Sequence, residues 1–522
     1  MSLYFIDLIV FSLFTYFAYR AWVQFTRRGL PLPPGPRGLP LIGNLLDVPQ
    51  VKPHLAYTKM SEEYQSDLIF MQVPGVSLLV INSAQAANDL LVERFKVYSD
   101  RPQAAMGKLA GVDESFIFNP YNEEWRKKRL MFMQEVSPTN LQKYQKPCMQ
   151  ENVDVLLNSL LDSPEKYEDH IHIVFAATVL SMAFGISPER EESFDHFVNL
   201  SKVGVDAVSD VAVPGNHLVD IVPVLQYLPE WLPGMGWKKE VAHQKKLIYS
   251  MLHDPLQFTK KKIESGATVK SSMASRQMQE MQDSGIWNKE NEKRLSNILG
   301  TLYGAATDSL SSSTRNIILA FLMDPEIQKK GQAAVDEAIG SDRLPDYNDE
   351  GKIPYVDALV MEVLRWRVML PLGIAHATQT DDIYRGYYIP AKTIVIGNAW
   401  AILHDPAVYG EDVDNFRPER FLNPDGTLNE SIPDPSAAFG FGRRICAGKV
   451  MAQSALWLTV ASLLACFNFS RARNAKGEEI IPDVDYHEGM IAAPHSFDCV
   501  VQPRYKAVEA LIRQRKEQAD LY

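Results

Sequence analysis

The stretch Phe439-Gly-Phe-Gly-Arg-Arg-Ile-Cys-Ala-Gly448 decides how the rest of this 522-residue chain is interpreted. Cys446 lies in a glycine-broken loop, and apolar residues at helical spacing follow from Lys449 to Ala465. Backbone N–H groups at the start of a helix stabilise an anionic sulfur, and Gly440 and Gly442 allow the loop to approach a flat ligand closely. A buried structural cysteine beside a turn is the alternative interpretation, because free cysteines are among the most buried residues.

Basic residues accompany the loop and a second segment. Arg443 and Arg444 stand just before the cysteine and offer positive charge to anionic groups on a ligand. The run Trp125-Arg-Lys-Lys-Arg129 lies on a predicted helix that ends near residue 134. Trp125 and Arg129 are four residues apart and therefore share one helix face. Taken alone, this run is more typical of a solvated basic helix with one core tryptophan.

A long helical pattern runs from Lys293 to Met323 and ends before a proline. Its middle contains Gly304-Ala-Ala-Thr-Asp-Ser309, which places Asp308 and Ser309 inside an apolar stripe. Polar residues of this kind go against helix propensity, and such conflicts are expected at functional sites. A pair that merely forms hydrogen bonds between helices is the alternative.

Glu362 and Arg365 lie three residues apart on another predicted helix, so they share one face. Their neighbours are apolar, which predicts a buried ion pair, and a buried pair needs further partners. Arg420, in Phe416-Arg-Pro-Glu-Arg-Phe421, is the predicted third member. We expect these three residues to support the scaffold behind Cys446 rather than to carry out chemistry.

In their joint order and spacing, these motifs resemble those of the cytochrome P450 family, and the resemblance spans the whole chain. It implies a mainly α fold with small β-sheets, the cytochrome P450 fold, preceded by one N-terminal transmembrane helix. It implies heme b with the Cys446 thiolate as axial iron ligand, and Trp125, Arg129 and Arg444 at the heme propionates. His376 is either another propionate contact or a structural histidine, and the sequence leaves both interpretations open.

The activity that the resemblance implies is heme-thiolate monooxygenation, in which one oxygen atom of O2 enters a substrate and the other becomes water. Asp308 and Ser309 resemble the acid–alcohol motif of the family, which implies proton delivery for O–O cleavage. Ser309 replaces the usual threonine, and Ala306 stands where a glycine is common, so the hydroxyl is kept while the room for a helix bulge shrinks. A heme-thiolate isomerase or dehydratase and a non-catalytic heme-binding protein are the alternatives. Retention of the acid and the hydroxyl argues against the isomerase or dehydratase.

Composition sets outer limits on fold and function. The chain is 46% hydrophobic and 22% charged, which is ordinary for a globular protein. Its net charge of −11 argues against nucleic-acid binding as a main role. The four cysteines contain no CxxC pair, which fits a reducing compartment.

Two β-rich runs around Pro74-Gly75 predict a hairpin, whereas residues 100–118 show no clean period and predict a loop.

Residues 1–23 are predicted to be an N-terminal membrane anchor. From Leu3 to Tyr19, Asp7 is the only charge, and this length is at the short end for a membrane span. Arg20, Arg27 and Arg28 follow, which predicts a lumenal N-terminus and a cytoplasmic body. A cleaved signal peptide is the alternative, but a basic region before the apolar run is absent. Residues 24–40 form a basic, Pro-rich hinge, and residues 41–522 form the predicted cytochrome P450 catalytic domain.

The expected partners follow from the resemblance. Electrons are expected from NADPH through a separate NADPH–cytochrome P450 reductase, a flavoprotein, because no flavin or Rossmann pattern follows the heme segment. The expected location is the endoplasmic reticulum membrane, with a single pass. The exact residues within and around these motifs look most like those of fungal enzymes of specialised metabolism. A hydrophobic substrate such as a terpenoid, polyketide or aromatic compound is expected because the predicted pocket segments are largely apolar: Gly111–Phe118, Leu302–Ala306, Leu370–Ile374 and Met490–Ala493.

Overall fold

The computed structural model describes residues 29–188, 191–213, 215–482, 485–487 and 489–520. These residues are mainly helical with small β-sheets, as the sequence predicts. The predicted anchor and the first residues of the hinge lie outside the described residues. The chain divides into two compact units, a smaller one from residues up to 102 with 375–398, and a larger one from 103–374 with 399–522.

The smaller unit is built on a four-stranded sheet of order β1-β2-β6-β3. The predicted hairpin is confirmed, since β1 and β2 pair antiparallel with Leu68 opposite Ile81, and β2 continues parallel to β6. Its elements are α1 (Pro53–Glu63), β1 (Leu68–Val73), β2 (Val76–Ile81), α2 (Ala84–Ala87), the π-helix Asn88–Glu93, α3 (Phe95–Tyr98), β3 (His376–Ala377), β4 (Asp382–Tyr384), β5 (Tyr387–Ile389) and β6 (Ile394–Gly397).

The Pro-rich part of the hinge is non-helical from residue 30 to 38, in agreement with the fixed φ of proline. It is also attached to the smaller unit. The Pro34 carbonyl accepts a 2.7 Å hydrogen bond from the Phe70 N–H, and the Pro31 carbonyl accepts a 2.8 Å bond from the Tyr388 N–H. The hinge is therefore held against strand β1 of the four-stranded sheet and against strand β5 of the β4-β5 pair, rather than being a free spacer.

The larger unit consists of helices around one hydrophobic core and a two-stranded sheet. Its elements are α4 (Ala105–Ala110), α5 (Glu123–Glu135), α6 (Pro138–Asn140), the π-helix Leu141–Gln145, α7 (Lys146–Asp162), α8 (Tyr167–Phe184), α9 (Phe194–Val211), α10 (Leu218–Ile221), α11 (Trp237–Glu264), α12 (Met273–Asp283), α13 (Lys289–Met323), α14 (Pro325–Ile339), α15 (Pro354–Trp366), α16 (Ala399–Leu403), α17 (Pro406–Tyr409), α18 (Lys449–Cys466), β7 (Phe467–Arg471), β8 (Cys499–Pro503) and α19 (Lys506–Asp520). Short 3₁₀ turns connect them at Val112–Glu114, Pro164–Lys166, Pro223–Tyr227, Pro418–Phe421, Ser436–Phe439 and Gly442–Arg444.

Helix α13 is the central element of this unit and is buried along most of its length. Asn288 caps it, with its side-chain oxygen accepting a 2.9 Å bond from the Asn291 N–H, so the helix begins one turn before the predicted start. That first turn is charged and carries no apolar period. A Cβ added at Gly300 would lie 2.4 Å from the Leu252 carbonyl oxygen, so only glycine allows α11 to approach α13 this closely.

The segment predicted as a loop over residues 100–118 contains the short helix α4 and a 3₁₀ turn. The prediction was therefore wrong for these residues. Six helical residues are fewer than two turns, which is too short for an apolar period to show in the sequence. The helix ends at Gly111, whose φ of +76° lies in the left-handed region typical of a C-terminal cap.

The structure brings Glu362, Arg365 and Arg420 together in the core. The side chains of Glu362 and Arg365 are fully buried. Arg365 donates to the Glu362 carboxylate from Nε at 2.7 Å and from Nη2 at 2.8 Å. Arg420 Nε donates to both carboxylate oxygens at 3.1 Å, and the Arg417 N–H donates to Oε1 at 2.8 Å. One buried carboxylate thus accepts from two guanidinium groups and one backbone amide.

The remaining guanidinium donors of this cluster bind backbone carbonyls. Arg365 donates to the carbonyls of Leu403 at 3.3 Å and Asn415 at 3.2 Å. Arg420 donates to the carbonyls of Tyr409 and Asn415. These carbonyls lie between residues 403 and 415, in a stretch with little regular secondary structure. The ion cluster therefore supplies the hydrogen bonds that this stretch does not form within itself.

One helix in the described part of the chain, α18, is long and apolar enough to cross a membrane. However, 78% of its apolar window is buried inside the protein, which identifies it as a core helix. Its N-terminus begins three residues after Cys446, so the core holds the cysteine loop in place.

Replacing Glu362 with alanine is expected to destabilise the fold by about 3–5 kcal/mol, because two buried guanidinium groups lose their anion. The matched control is Glu419→Ala, the residue before Arg420, where a half-buried carboxylate pairs with exposed Lys330. That change is expected to cost about 0–1 kcal/mol. Urea unfolding of both variants checks the difference. Equal losses in the two variants would contradict the central role of the buried carboxylate, and Glu362→Gln replaces Glu362→Ala if the latter does not fold.

Candidate functional site

The loop before α18 is closed by a hydrogen bond from the Cys446 N–H to the Phe439 carbonyl at 2.8 Å. Gly440 and Gly442 lie inside this closure with φ values of +84° and +53°. Other residues adopt this left-handed region only at a cost, so glycine at both positions lets the loop fold back tightly. The loop therefore presents one thiol immediately before the start of α18.

The thiol of Cys446 has accessible surface. Nevertheless, desolvation by the surrounding protein raises the pKa of this thiol, and the Gly448 N–H and the Arg129 guanidinium only partly oppose that effect. The helix start and the nearby cation therefore favour a thiolate, as expected, but desolvation is the larger effect.

Trp125 on α5 is buried and contacts two cations. The Arg129 guanidinium carbon lies 5.7 Å from its ring centroid, and that of Arg444 lies 4.2 Å away. Burial lowers the pKa of Arg129, and the Cys446 sulfur partly offsets this, which places Arg129 close to the thiol. The structure therefore brings four predicted site residues together: Trp125, Arg129, Arg444 and Cys446.

Asn119 holds this cluster in position, and sequence reasoning did not identify it. Its backbone carbonyl accepts a 2.7 Å hydrogen bond from Arg444 Nη2, and its side-chain oxygen accepts a 2.8 Å bond from Lys128 Nζ. Lys128 is buried as a result, although the basic run Trp125–Arg129 suggested a solvated side chain. No sequence pattern marks an asparagine for such a role, because its partners come from α5 and from the cysteine loop.

His376 belongs to the smaller unit and is buried on β3. Its ring Nδ1 lies 2.8 Å from the Tyr98 carbonyl oxygen, so Nδ1 carries the proton and the ring orientation is set. Next to it, the buried Arg101 donates from Nη1 to the Ala375 carbonyl at 2.8 Å. Arg101 is a second buried cation that sequence reasoning did not single out.

The middle of α13 presents small and polar groups in an otherwise buried helix. Ala305 is exposed although Gly304 and Thr307 beside it are buried. The Ser309 hydroxyl donates to the Ala305 carbonyl at 2.9 Å, and α13 continues through this point as an uninterrupted α-helix. The hydroxyl proton is therefore held within the helix, which agrees with the reduced room for a bulge expected from Ala306.

Asp308 points to a different helix. Its Oδ1 lies 3.7 Å from Nδ1 of His172 on α8, and both side chains are 27% exposed. Desolvation raises the pKa of Asp308 and lowers the pKa of His172. His172 is another residue that sequence reasoning missed, since α8 is largely apolar and neither of its two histidines stands in a recognisable motif.

The segment Gly111–Phe118 is fixed to two helices. Ser115 Oγ lies 3.0 Å from Thr301 Oγ1 on α13. Glu114 Oε2 lies 2.9 Å from His253 Nε2 on α11, and this bond, followed by the charge of Lys293, holds the pKa of Glu114 at about 2. The apolar pocket segment predicted from the sequence is therefore held by polar contacts at its own residues.

The donor set around Cys446 fits a heme. A single thiol provides one ligand to a metal, and a porphyrin provides the four in-plane ligands that a lone cysteine loop lacks. The guanidinium groups of Arg129 and Arg444 offer positive charge to two propionate carboxylates. The Trp125 ring lies against both guanidinium groups. The glycine-folded loop leaves Cys446 exposed immediately before α18.

A family model described as cytochrome P450 matches residues 33–485. This chain belongs to the cytochrome P450 family. Cytochrome P450 monooxygenase eriA of Hericium erinaceus is 39% identical over 502 residues, covering 96% of this chain and 94% of the relative. Cytochrome P450 monooxygenase 98 of Postia placenta is 38% identical over 494 residues, covering 94% of each. Cytochrome P450 monooxygenase ple1 of Rhodocybe pseudopiperita is 36% identical over 484 residues, covering 92% of this chain and 91% of the relative.

The match confirms the family named from the cysteine loop, and the relatives confirm the enzyme class, cytochrome P450 monooxygenase. Heme-thiolate iron follows from the family, and the cytochrome P450 fold agrees with the mainly helical structure and its small sheets. Among the predicted site residues, the larger unit of this cytochrome P450 contains three separate groups. They are the cysteine-loop cluster, the buried ion cluster behind it, and the Asp308–Ser309 segment of α13.

Proposed function

We propose that this cytochrome P450 inserts one oxygen atom of O2 into a hydrophobic small molecule of fungal specialised metabolism, such as a terpenoid, polyketide or aromatic compound. The observation that carries the proposal is the exposed Cys446 immediately before α18, with the partly buried guanidinium group of Arg129 close to its sulfur. The relatives, which come from fungi and are named as monooxygenases, support monooxygenation in a fungal pathway. The largely apolar pocket segments support a hydrophobic substrate.

The cysteine-loop cluster is proposed to hold the heme. Cys446 would be the iron ligand, and Arg129, Arg444 and Trp125 would contact the propionates. When bound, the heme supplies the reductive activation of O2 and the transfer of one oxygen atom. These residues would hold the heme in position beside α13.

Asp308 and Ser309 are proposed to manage protons on the α13 side of the pocket. The Ser309 hydroxyl donates a hydrogen bond to the Ala305 carbonyl. Its oxygen can therefore accept a hydrogen bond from an ordered water. Asp308 is half-buried, and desolvation raises its pKa, so its carboxyl holds a proton more readily than an ordinary aspartate does. The carboxyl thus carries protons and the hydroxyl positions the water that receives them.

Electrons are proposed to come from NADPH through a separate reductase, with residues 1–23 anchoring the enzyme in the endoplasmic reticulum membrane, the hinge 24–40 following, and the catalytic domain in the cytoplasm. The apolar run and the arginines after it support this topology. The exposed cations Arg126, Lys127 and Arg443 lie on the helix and loop that form the heme cluster. They offer an acidic flavin domain a positive docking surface.

The proposed function is tested by expressing the full chain with a fungal reductase and profiling products from terpenoid, polyketide and aromatic precursors. NADPH consumption that is tied to an oxygenated product supports monooxygenation. Conversion without NADPH would identify an isomerase or dehydratase, and spectral heme binding without any conversion would identify a non-catalytic protein.

Cys446→His is expected to abolish the red-shifted Soret band that a thiolate-bound ferrous heme gives with CO, because imidazole is a weaker electron donor than thiolate. The control is Cys466→Ser, a change of a buried cysteine at the far end of α18, which is expected to keep the band. Absorbance spectra of the reduced proteins with CO check both. Loss of the band in Cys466→Ser and its survival in Cys446→Ser would show that the ligand is assigned to the wrong residue.

Ser309→Ala is expected to release more hydrogen peroxide per NADPH and to form less product at unchanged heme content, because the water that it positions is no longer held. Ser309→Thr is the matched control and is expected to couple as well as the wild type or better, since its branched side chain is more restricted. NADPH consumed, product formed and peroxide released are measured together in each variant. Full coupling in Ser309→Ala would show that another group positions the proton.

The double variant Arg126→Glu/Lys127→Glu is expected to slow heme reduction severalfold at low ionic strength, with little change in substrate affinity. Lys128 and Lys449 are left out, because Lys128 is buried and Lys449 pairs with Asp434 at 2.9 Å. Lys261→Glu, an exposed change on α11, is the control. Stopped-flow reduction by the reductase at several salt concentrations checks this, and an unchanged rate at low salt would contradict the docking surface.

A further inference from the structure

Asp308 is paired with a titratable side chain from a neighbouring helix. His172 on α8 places Nδ1 3.7 Å from Asp308 Oδ1. Each side chain is 27% exposed, so both are partly withdrawn from water and both can still exchange protons with it. Helix α8 packs directly on α13, which fixes the spacing of the two groups. No motif in the sequence links residues 172 and 308.

The charged groups that face this pair come from three helices. The electrostatic neighbours of the pair are Lys202 and Asp206 on α9, Asp169 on α8 and Arg315 on α13. Lys202 and Arg315 disfavour the imidazolium, whereas Asp169 and Asp308 favour it. Lys202 and Asp206 are exposed and one helical turn apart, so they mark the solvent side of the pair.

The proton affinities of the two groups are drawn toward each other. Burial raises the pKa of Asp308 above that of an ordinary aspartate, and burial lowers the pKa of His172 below that of an ordinary histidine. Both shifts disfavour the charged form, so they lower the free-energy cost of moving a proton from the imidazolium to the carboxylate within the pair. Together with the 3.7 Å spacing, this direction suits a proton relay.

We propose that His172 is a positioning residue that reloads the Asp308 carboxyl with protons from solvent. In the transfer, the imidazolium Nδ1–H gives its proton to Asp308 Oδ1, which leaves a neutral ring and a neutral carboxyl. After Asp308 passes that proton on, the ring takes another from solvent at Nδ1. The gap of 3.7 Å exceeds a hydrogen bond by roughly 0.5 Å, which is within ordinary side-chain motion. This inference rests on the proton role proposed for Asp308.

The first test measures the pair without turnover. The heme-loaded full-length enzyme is treated with diethyl pyrocarbonate between about pH 5 and 8, and modification of His172 is followed by peptide mass spectrometry. In Asp308→Asn the imidazolium loses its stabilising anion, so the midpoint for His172 is expected to move to lower pH by roughly half a unit or more. An unmoved midpoint would overturn the proposed link between the two residues.

The second test compares pH profiles of NADPH oxidation with the reductase in excess and no added substrate. A proton donor works in its protonated form, and burial holds the pKa of His172 below that of an ordinary histidine, so wild-type turnover is expected to fall as pH rises from about 5 to 6.5. His172→Gln keeps a polar side chain but cannot titrate, and its turnover is expected to be about threefold to tenfold lower near pH 5 and nearly flat. His170→Gln, on the same helix with its ring bonded to Ser163, is the matched control and should keep the wild-type profile.

The outcomes separate this inference from the proposed function. A His172→Gln profile that overlays the wild type overturns the relay, whether or not products form. A normal ferrous–CO spectrum without NADPH oxidation in the wild type at any pH counts against the proposed monooxygenation, whereas the pyrocarbonate midpoints still decide whether His172 and Asp308 are linked.

Discussion

The buried carboxylate of Glu362 is the interaction on which the site-bearing unit depends. Two guanidinium groups and a backbone amide share it, and the same arginines bind carbonyls across residues 403–415. Charges placed this deeply are costly, and they persist only when every donor finds an acceptor. A stretch with little regular secondary structure can then be held as firmly as a helix. The cysteine loop follows this stretch in the chain, so rigidity there comes from ion pairs rather than from a ladder of backbone hydrogen bonds.

A second constraint concerns the sulfur itself. Protein around Cys446 desolvates the thiol, and the Gly448 N–H and Arg129 compensate only in part. A site that stabilised a bare thiolate would also make it reactive toward oxidants and electrophiles. Because desolvation raises the pKa of this thiol, the site as it stands favours an unreactive sulfur over a nucleophilic thiolate.

Helix α13 shows how one element reconciles packing with chemistry. Gly300 permits close contact with α11, and buried residues occupy most of the helix surface. From Ala305 to Ser309 the helix carries small and polar groups that are mostly not fully buried, and it does so without a break in the helix. Ser309 keeps a hydroxyl at the position where threonine is usual, and this hydroxyl donates a hydrogen bond to the Ala305 carbonyl of the same helix. The carboxyl of Asp308 is directed instead to α8, so the two neighbouring polar residues have separate surroundings.

Local signals in the sequence were sufficient for the elements with strong patterns. The glycine-broken cysteine loop, the long apolar helix around Asp308, the β-hairpin at Pro74-Gly75 and the pairing of Glu362 with Arg365 all depend on residues close together in the chain, and neighbours in sequence carry that information. The short helix α4 was not predicted, because six residues are too few to show the apolar period of a helix. Asn119 and His172 were missed because their partners lie on other elements. Exposure, burial and the resulting pKa shifts arise only when helices distant in sequence pack together, and tertiary structure alone decided them.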